Sequence, residues 1–456
     1  MLRPGTGFES TAGVLRRLPI FAAVTLVALA ASLGFAAELP PEPAIPAALT
    51  LAEAIALFRA HGLDLLIAEA AAQGAEGDAI AAGAIQNPSV TGGYYRSFFK
   101  DDAFETHNGW TVGLGDSNAI VDTLSGKRGL RRSVADAALA AARLGRADAQ
   151  RTLELQVKQA YFQAVAAGAA LDFARETAES TTHTFDLNQI RYKSGAISEV
   201  DLSRTETAKL EADQAVDATT LALHNAKVQL AFLLGQRHAF NDFTIDASQL
   251  HSATPATLSD ATVATLVDRA MTTRPDLRAQ ENQRARAAQA VALAKRQRFP
   301  DFGLNAQYSE QGSGNTPPGA PSAISPPTLE LSLTGSLPLF YQQQGEIKKA
   351  EADARTQDAQ AAKLRAQVVA DVENAFAGYQ TAQRQVQRME GRLLDRAQRA
   401  RDLVQLQYQK GAASLLEYLD AQRTYVTTKG EYIQDLTAYW NAIFQIEAAT
   451  ATQVMP

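Results

Sequence analysis

The sequence predicts a mostly α-helical fold with a small β part, laid down twice along the chain. Three observations carry this. First, the chain reads Arg-Tyr-Lys-Ser-Gly-Ala-Ile-Ser-Glu-Val-Asp-Leu around Tyr192 and Gln-Tyr-Gln-Lys-Gly-Ala-Ala-Ser-Leu-Leu-Glu-Tyr around Tyr408, with Tyr, Gly, Ala, Ser and an acidic residue in register. The offset is 411 − 195 = 216 there and 300 − 88 = 212 at Asn87-Pro88 and Phe299-Pro300, so whole halves correspond. A unit this long is a complete structural half and not a solenoid repeat of about 20 to 50 residues. Second, no proline lies between Pro88 and Pro255 or between Pro338 and Pro456. Proline costs about 3 kcal/mol inside a helix, so these Ala-, Leu-, Gln- and Arg-rich tracts are open to very long helices. Third, two short segments in the second half alternate apolar and polar residues with period two, as strands with one apolar face do.

At the N-terminus, Arg3, Arg16 and Arg17 precede an apolar run from Leu18 to Phe35 and the small residues Gly34, Ala36 and Ala37. This order predicts a secretory signal over residues 1–37, with a retained membrane anchor as the alternative. The first repeat then spans 38–250 and the second 251–456. Each opens with a helix. Leu51, Ala54, Ile55 and Phe58 recur at helical spacing from Thr50, a capping residue with Glu53 three positions on, and the helix is expected to run to about Ala82. Its counterpart is expected from Leu258 to about Arg298, capped by Ser259. Pro88 and Pro300 close the two openings.

Asp301–Ser309 and Thr328–Thr334 then read as strands, with Phe302, Leu304, Ala306 and Tyr308, and Leu329, Leu331 and Leu333, on the apolar sides. The Gly/Pro-rich stretch Glu310–Pro327 reads as a loop. Ser89–Tyr95 and Gly109–Leu114 are the first-half equivalents, joined through Asp101, Asp102 and His107. Four strands cannot close a barrel, and lipid does not tolerate an open sheet edge, so several chains must pool their strands. The ordinary alternative is a soluble four-stranded sheet packed on helices. Aromatics at Tyr94, Tyr95, Phe98, Phe99, Trp110 and Tyr308 suit a belt at the lipid interface. Long helices follow each hairpin, at about Leu130–Tyr192 and Gln344–Tyr408. At 1.5 Å per residue, some 60 residues extend ~90 Å. Helix resumes after Gly195 and Gly411, to about Leu234 and Thr450, so each half ends in an antiparallel helical hairpin that turns at glycine.

The order of signal, helix, β-hairpin and long helical hairpin, all duplicated, resembles the TolC-type outer-membrane channel family over nearly the whole mature chain. The local marks are Tyr-x-x-Gly with an acidic residue six positions after the glycine (Tyr192, Gly195, Asp201; Tyr408, Gly411, Glu417). Leu337-Pro338-Leu339-Phe340 with Gly345-Glu346-Ile347, and Gly126-Lys127-Arg128, look most like the CzcC branch of heavy-metal efflux. The resemblance implies a homotrimer, with a twelve-stranded β-barrel across outer-membrane lipid and a trimeric α-barrel in the periplasm. Its implied partners are a periplasmic adaptor of the membrane-fusion type and an inner-membrane pump of the RND type. The implied function is a passive exit duct for heavy-metal cations. A multidrug or type I protein-secretion duct is the alternative within the class, and a periplasmic coiled-coil adaptor or scaffold the alternative outside it.

By residue match, Asp201, Tyr408, Glu417 and Asp420 inherit the periplasmic gate, where carboxylates of three copies ring the entrance. Gly195, Ala196, Gly411 and Ala412 inherit the adaptor-contacting tips. Carboxylates beside a helix start are also favoured by the macrodipole alone. Some relatives carry a gate-locking arginine two residues after the second glycine; this chain has Ala413 there. No catalytic arrangement, cofactor or metal site is expected. Cysteine is absent, and His61, His107, His183, His224, His238 and His251 show no ligand spacing. A conduit that bound its cargo tightly would not release it. The net charge of −6 gives no basic excess for nucleic acid.

Overall fold

The computed structural model describes residues 40–96, 108–239, 242–311 and 326–454. The expected signal, the loop residues Phe98, Phe99, Asp101, Asp102 and His107, and most of the Gly/Pro-rich loop lie outside them. All architecture below belongs to the unit Pro43–Pro456.

The first half contains α1 (Leu51–His61), α2 (Leu63–Gly83), β1 (Ser89–Arg96), β2 (Asn108–Gly115), a short α3 (Ala119–Leu124), α4 (Lys127–Lys193) and α5 (Glu199–Leu233). The second contains α6 (Val263–Thr273), α7 (Pro275–Arg296), β3 (Phe302–Gln311), β4 (Thr328–Gly335), α8 (Gln344–Arg388), α9 (Leu394–Gln409) and α10 (Leu415–Thr450). The strands and long helices fall within a few residues of the sequence expectation. The opening helices do not. Thr50 caps α1 in a full capping box with Glu53 as expected, but the helix breaks at Gly62, whose ψ of 117° is extended. In the second half Thr262, not Ser259, is the cap. The predicted single helix there is two, because a residue before proline is driven out of the helical region. Arg274 is accordingly extended and Pro275 starts α7 at its first turn, where a missing N–H costs nothing.

The two hairpins join into one antiparallel sheet in the order β1-β2-β3-β4. Its register places Val90, Leu114, Ala306 and Leu331 in one cross-strand row and Thr91, Gly113, Gln307 and Glu330 in the next. Directly paired residues share a face, so one face of the sheet is apolar along most of its length, with Arg96, Asn108 and Glu310 only at its loop end, and the other is largely polar. The apolar face is uncovered: Leu331 is 71% exposed, and Val90, Val112, Leu329 and Leu333 are exposed with it. Trp110 and Tyr308 pack together on that face, their centroids 5.3 Å apart.

Below the sheet, Lys127 pins the start of α4 with its Nζ 2.7 Å from both Asp301 Oδ1 and the Phe299 carbonyl. Arg131 holds Asp122 through two bonds of 2.6 Å. From there α4 runs unbroken for 67 residues, a rod of ~100 Å. The matching second-half rod is interrupted by one π-helical segment, Met389–Leu393. Glu390 in that segment accepts hydrogen bonds from Ser252 Oγ at 3.0 Å and Tyr432 OH at 2.8 Å.

The main core lies where α1 and α6 pack on the middle of the rods, around Tyr161, Phe162, Leu230, Tyr439, Ile443 and Phe444. Arg274 is buried beside it, bonded to Asp276 (2.7 and 3.1 Å) and Asp371 (3.1 Å).

Candidate gate and docking tips

Each rod ends in the same helix stop. Gly195 and Gly411 adopt φ of +72° and +77°, the left-handed conformation that glycine enters without steric penalty. The Ala196 N–H donates to the Arg191 carbonyl and the Gly195 N–H to that of Tyr192, both at 2.9 Å. Ala412 and Gly411 repeat the pair on Gln407 and Tyr408 at 2.8 and 3.1 Å. These are Schellman caps, which satisfy carbonyls that a helix end otherwise leaves bare. Gly195, Ala196, Gly411 and Ala412 are all exposed.

Helix restarts four residues after each glycine, at Glu199 and Leu415. Ser198 and Ser414 are the N-caps, with identical φ of −79° and ψ of 158°. The Ser414 hydroxyl accepts from the Glu417 N–H at 3.2 Å, while the Glu417 carboxylate accepts the Ser414 N–H at 2.7 Å. That backbone bond, with a second from the Ser414 hydroxyl, holds the Glu417 carboxyl below its ordinary pKa. Asp201 takes a hydrogen bond from Ser198 Oγ at 2.9 Å and lies 3.8 Å from Arg204. Two of the three predicted gate carboxylates are therefore tied to helix caps, Glu417 in a full capping box and Asp201 through the Ser198 hydroxyl alone. Ser-x-x-Asp/Glu is a legible start signal, and the sequence reading passed over both serines.

Asp420 stands apart from them. It is exposed and lines a cavity of about 860 Å³ between α4, α5 and α10, with Thr181, Ser203, Glu211 and Arg423. Gln422 forms part of the same wall, buried and with its Oε1 unpartnered.

Tyr408 is buried between the two hairpins. Its hydroxyl donates to Asn188 Oδ1 at 2.7 Å, and its ring stacks on Tyr418 with centroids 5.5 Å apart and planes within 5°. Arg191 also lies over this ring, 5.3 Å from its centre, and donates to the Gln409 carbonyl at 3.1 Å. The first and second tips are thus tied side by side. Ala413 packs against this cluster. Asn188, Arg191 and Tyr418 were not singled out in the sequence; Tyr418 corresponds to Leu202 in the other repeat (418 − 216 = 202), so the duplication gave no sign of it.

Among the described residues no group of His, Cys, Asp and Glu is placed to hold a metal ion, and no helix is long and apolar enough to cross a membrane. The membrane-facing element is the sheet. Its alternation of an apolar and a polar face is that of a β-barrel wall with lipid on one side and water on the other. Fold and tips together define an outer-membrane channel protein that extends into the periplasm.

The chain belongs to the outer membrane efflux protein family, whose model matches residues 54–236 and 266–452. It is similar to the pyoverdine export outer membrane protein OpmQ of Pseudomonas aeruginosa, 24% identical over 81% of this chain and 78% of that one. Among solved structures it resembles CusC, with a TM-score of 0.72 and 18% identity over 88% of this chain and 92% of the other. It also resembles VceC of Vibrio cholerae, with a TM-score of 0.68 and 20% identity over 89% and 97%. The protein is the exit duct of a tripartite efflux system, a passive channel and not an enzyme.

Proposed function

We propose that three copies of the chain close head to tail into one pore, with twelve strands across the outer-membrane lipid and a helical tunnel beneath. One observation carries this: every layer of the protomer ends in two unlike free edges. The sheet ends in β1 and β4. The upper helices pack in the order α2, α4, α7, α8 and the lower ones in the order α5, α4, α10, α9. In each layer one edge comes from the first repeat and the other from the second. Such edges fit a heterologous contact, which makes a ring when its rotation closes. The family's channels work with a periplasmic adaptor and an inner-membrane pump. The tips at Gly195, Ala196, Gly411 and Ala412 meet the adaptor in this reading, and the pump is of the RND type. Asp201, Tyr408, Glu417 and Asp420 form the entrance, where three copies of each carboxylate favour cations. Residues 1–37 are removed on export, and 38–250 and 251–456 are the two repeats.

For cargo, the Leu337–Phe340 and Gly345–Ile347 motifs support the CzcC-like branch and heavy-metal cations. The likeness to a pyoverdine exporter favours a second reading, export of a small organic molecule. Deleting the gene and measuring tolerance separates them. Sensitivity to zinc, cobalt or cadmium salts, restored by the intact gene, supports the first. Unchanged metal tolerance with loss of siderophore or drug export supports the second.

A further inference from the structure

The lower edges carry opposite charge at matching depth, and we infer that an arginine ladder on α8–α9 docks on the acidic, apolar edge of α5 in the next copy of this chain. The inference rests on the ring reading above and specifies its contact.

On α8–α9, Arg384, Arg388, Arg392, Arg396 and Arg399 are all exposed, and the stripe continues toward the tip as exposed Leu403 and Leu406. The helix turns its other side, Ala397 and Tyr408, to the protein. Steps of four residues in a regular helix drift by about 40° each. The π segment Met389–Leu393, which contains Arg392, fits more residues into its wider turn and so offsets part of that drift. Among the described residues Arg392 and Arg396 have no carboxylate within ion-pair distance; Arg399 is 3.0 Å from Asp395 on its own helix.

On α5, Thr205 and Ala212 are buried, while Val200, Leu210, Asp217 and Leu221 are exposed on the opposite side. These four recur at steps built from three and four residues, the spacing of a coiled-coil seam. Glu206 and Asp213 flank that seam, Asp213 with Lys209 3.0 Å away on the same helix.

The two stripes match in depth. Because Arg191 ties the tips side by side, residues counted from the turn glycines measure height on both edges. Arg399 and Glu206 stand at 411 − 399 = 12 and 206 − 195 = 11, Arg396 and Leu210 at 411 − 396 = 15 and 210 − 195 = 15, and Arg388 and Asp217 at 411 − 388 = 23 and 217 − 195 = 22. Opposite charges therefore meet at two heights; the aliphatic stem of Arg396 covers Leu210 between them, and that of Arg384 at 411 − 384 = 27 covers Leu221 at 221 − 195 = 26 above them.

The chain has no cysteine, so a pair introduced at one height reports the contact directly. The mass of the detergent-extracted wild type is measured first, and a monomer overturns both the ring and this contact. In a confirmed trimer, Leu210→Cys with Arg396→Cys is expected to give covalent dimers and closed trimers on mild oxidation. Leu210→Cys with Leu403→Cys, seven residues or ~10 Å out of level, stays uncrosslinked. A trimer in which the level pair fails to crosslink overturns the docking and leaves the ring standing. As a second readout, Asp217→Arg and Arg388→Asp each lower the temperature at which the trimer dissociates, and their combination recovers most of the loss. Failure of that recovery overturns the charge pairing.

Discussion

Gly195→Asp and Gly411→Asp test whether the tips dock a partner. Each change puts a side chain on a residue whose φ lies in the left-handed region. A Cβ at either position would meet no atom within 4 Å, so nothing is displaced. The cost is confined to backbone strain, about 1–2 kcal/mol for an L-residue and less for aspartate, whose short polar side chain tolerates this conformation. A domain is stable by about 5–15 kcal/mol, so folding and assembly survive, and what changes is the shape and charge of the exposed turn. The variants are expected to form trimers in the outer membrane at wild-type abundance and to lose export, read as substrate sensitivity equal to that of a deletion strain. Gly195→Asn and Gly411→Asn separate strain from charge, since they share the first and lack the second; they are expected to retain more export than the aspartates. Full resistance in both aspartate variants, with trimers intact, would refute the assignment of these turns to the adaptor.

Four further outcomes follow from the structure. Arg274→Ala leaves Asp276 and Asp371 without their cation and is expected to cost about 3 kcal/mol in denaturant unfolding, as breaking a buried pair does. The same site has a pH signature: burial pushes Asp276 up, but the Arg274 hydrogen bonds and charge outweigh it and hold its carboxyl low. Its stabilisation is therefore complete above about pH 4, the unfolded value, and fades as pH falls through the depressed folded value; Arg274→Ala should flatten this acid limb. Tyr408→Phe strips the Asn188 Oδ1 of its partner and should cost about 1–3 kcal/mol, whereas adding Asn188→Leu should recover most of it in the same melt. On the sheet, Leu331→Arg should cost about 2–4 kcal/mol and block barrel assembly, while Gln307→Arg, one row away on the polar face, should assemble and shift ion selectivity in planar bilayers. Ser414→Ala removes the cap hydroxyl of α10 and should cost about 1 kcal/mol, seen as faster amide exchange at Leu415–Tyr418.

How much of this was legible depended on the range of the physics involved. The strands were placed within two residues because alternation is local, and both turns were placed because a left-handed backbone position leaves a glycine at each chain reversal. Pro275 was visible but ambiguous: a proline ends one helix or begins the next, and burial of Arg274 against Asp371, nearly a hundred residues away, belongs to tertiary structure. Gly62 carried the same ambiguity, since glycine inside a helical pattern is often tolerated. The joining of β2 to β3 across the two halves is a long-range pairing that no local pattern announces. At the tip, Asp201 and Glu417 could have been recognised as capping residues from the serines three positions before them. The burial of Tyr408 could not, because Asn188 comes from a helix 220 residues away and Tyr418, though just across the turn, breaks the repeat symmetry.

Duplication supplied this molecule with two struts of nearly equal span, and only one of them kept an uninterrupted ladder of backbone bonds. The first strut, fastened at its head by the Lys127 ammonium, passes a push along its length as a stiff beam would. The second has a knee at Met389–Leu393, steadied by the Glu390 carboxylate between Ser252 and Tyr432. A π turn is where a long helix most readily accommodates a bend, so the twin halves are mechanically unequal.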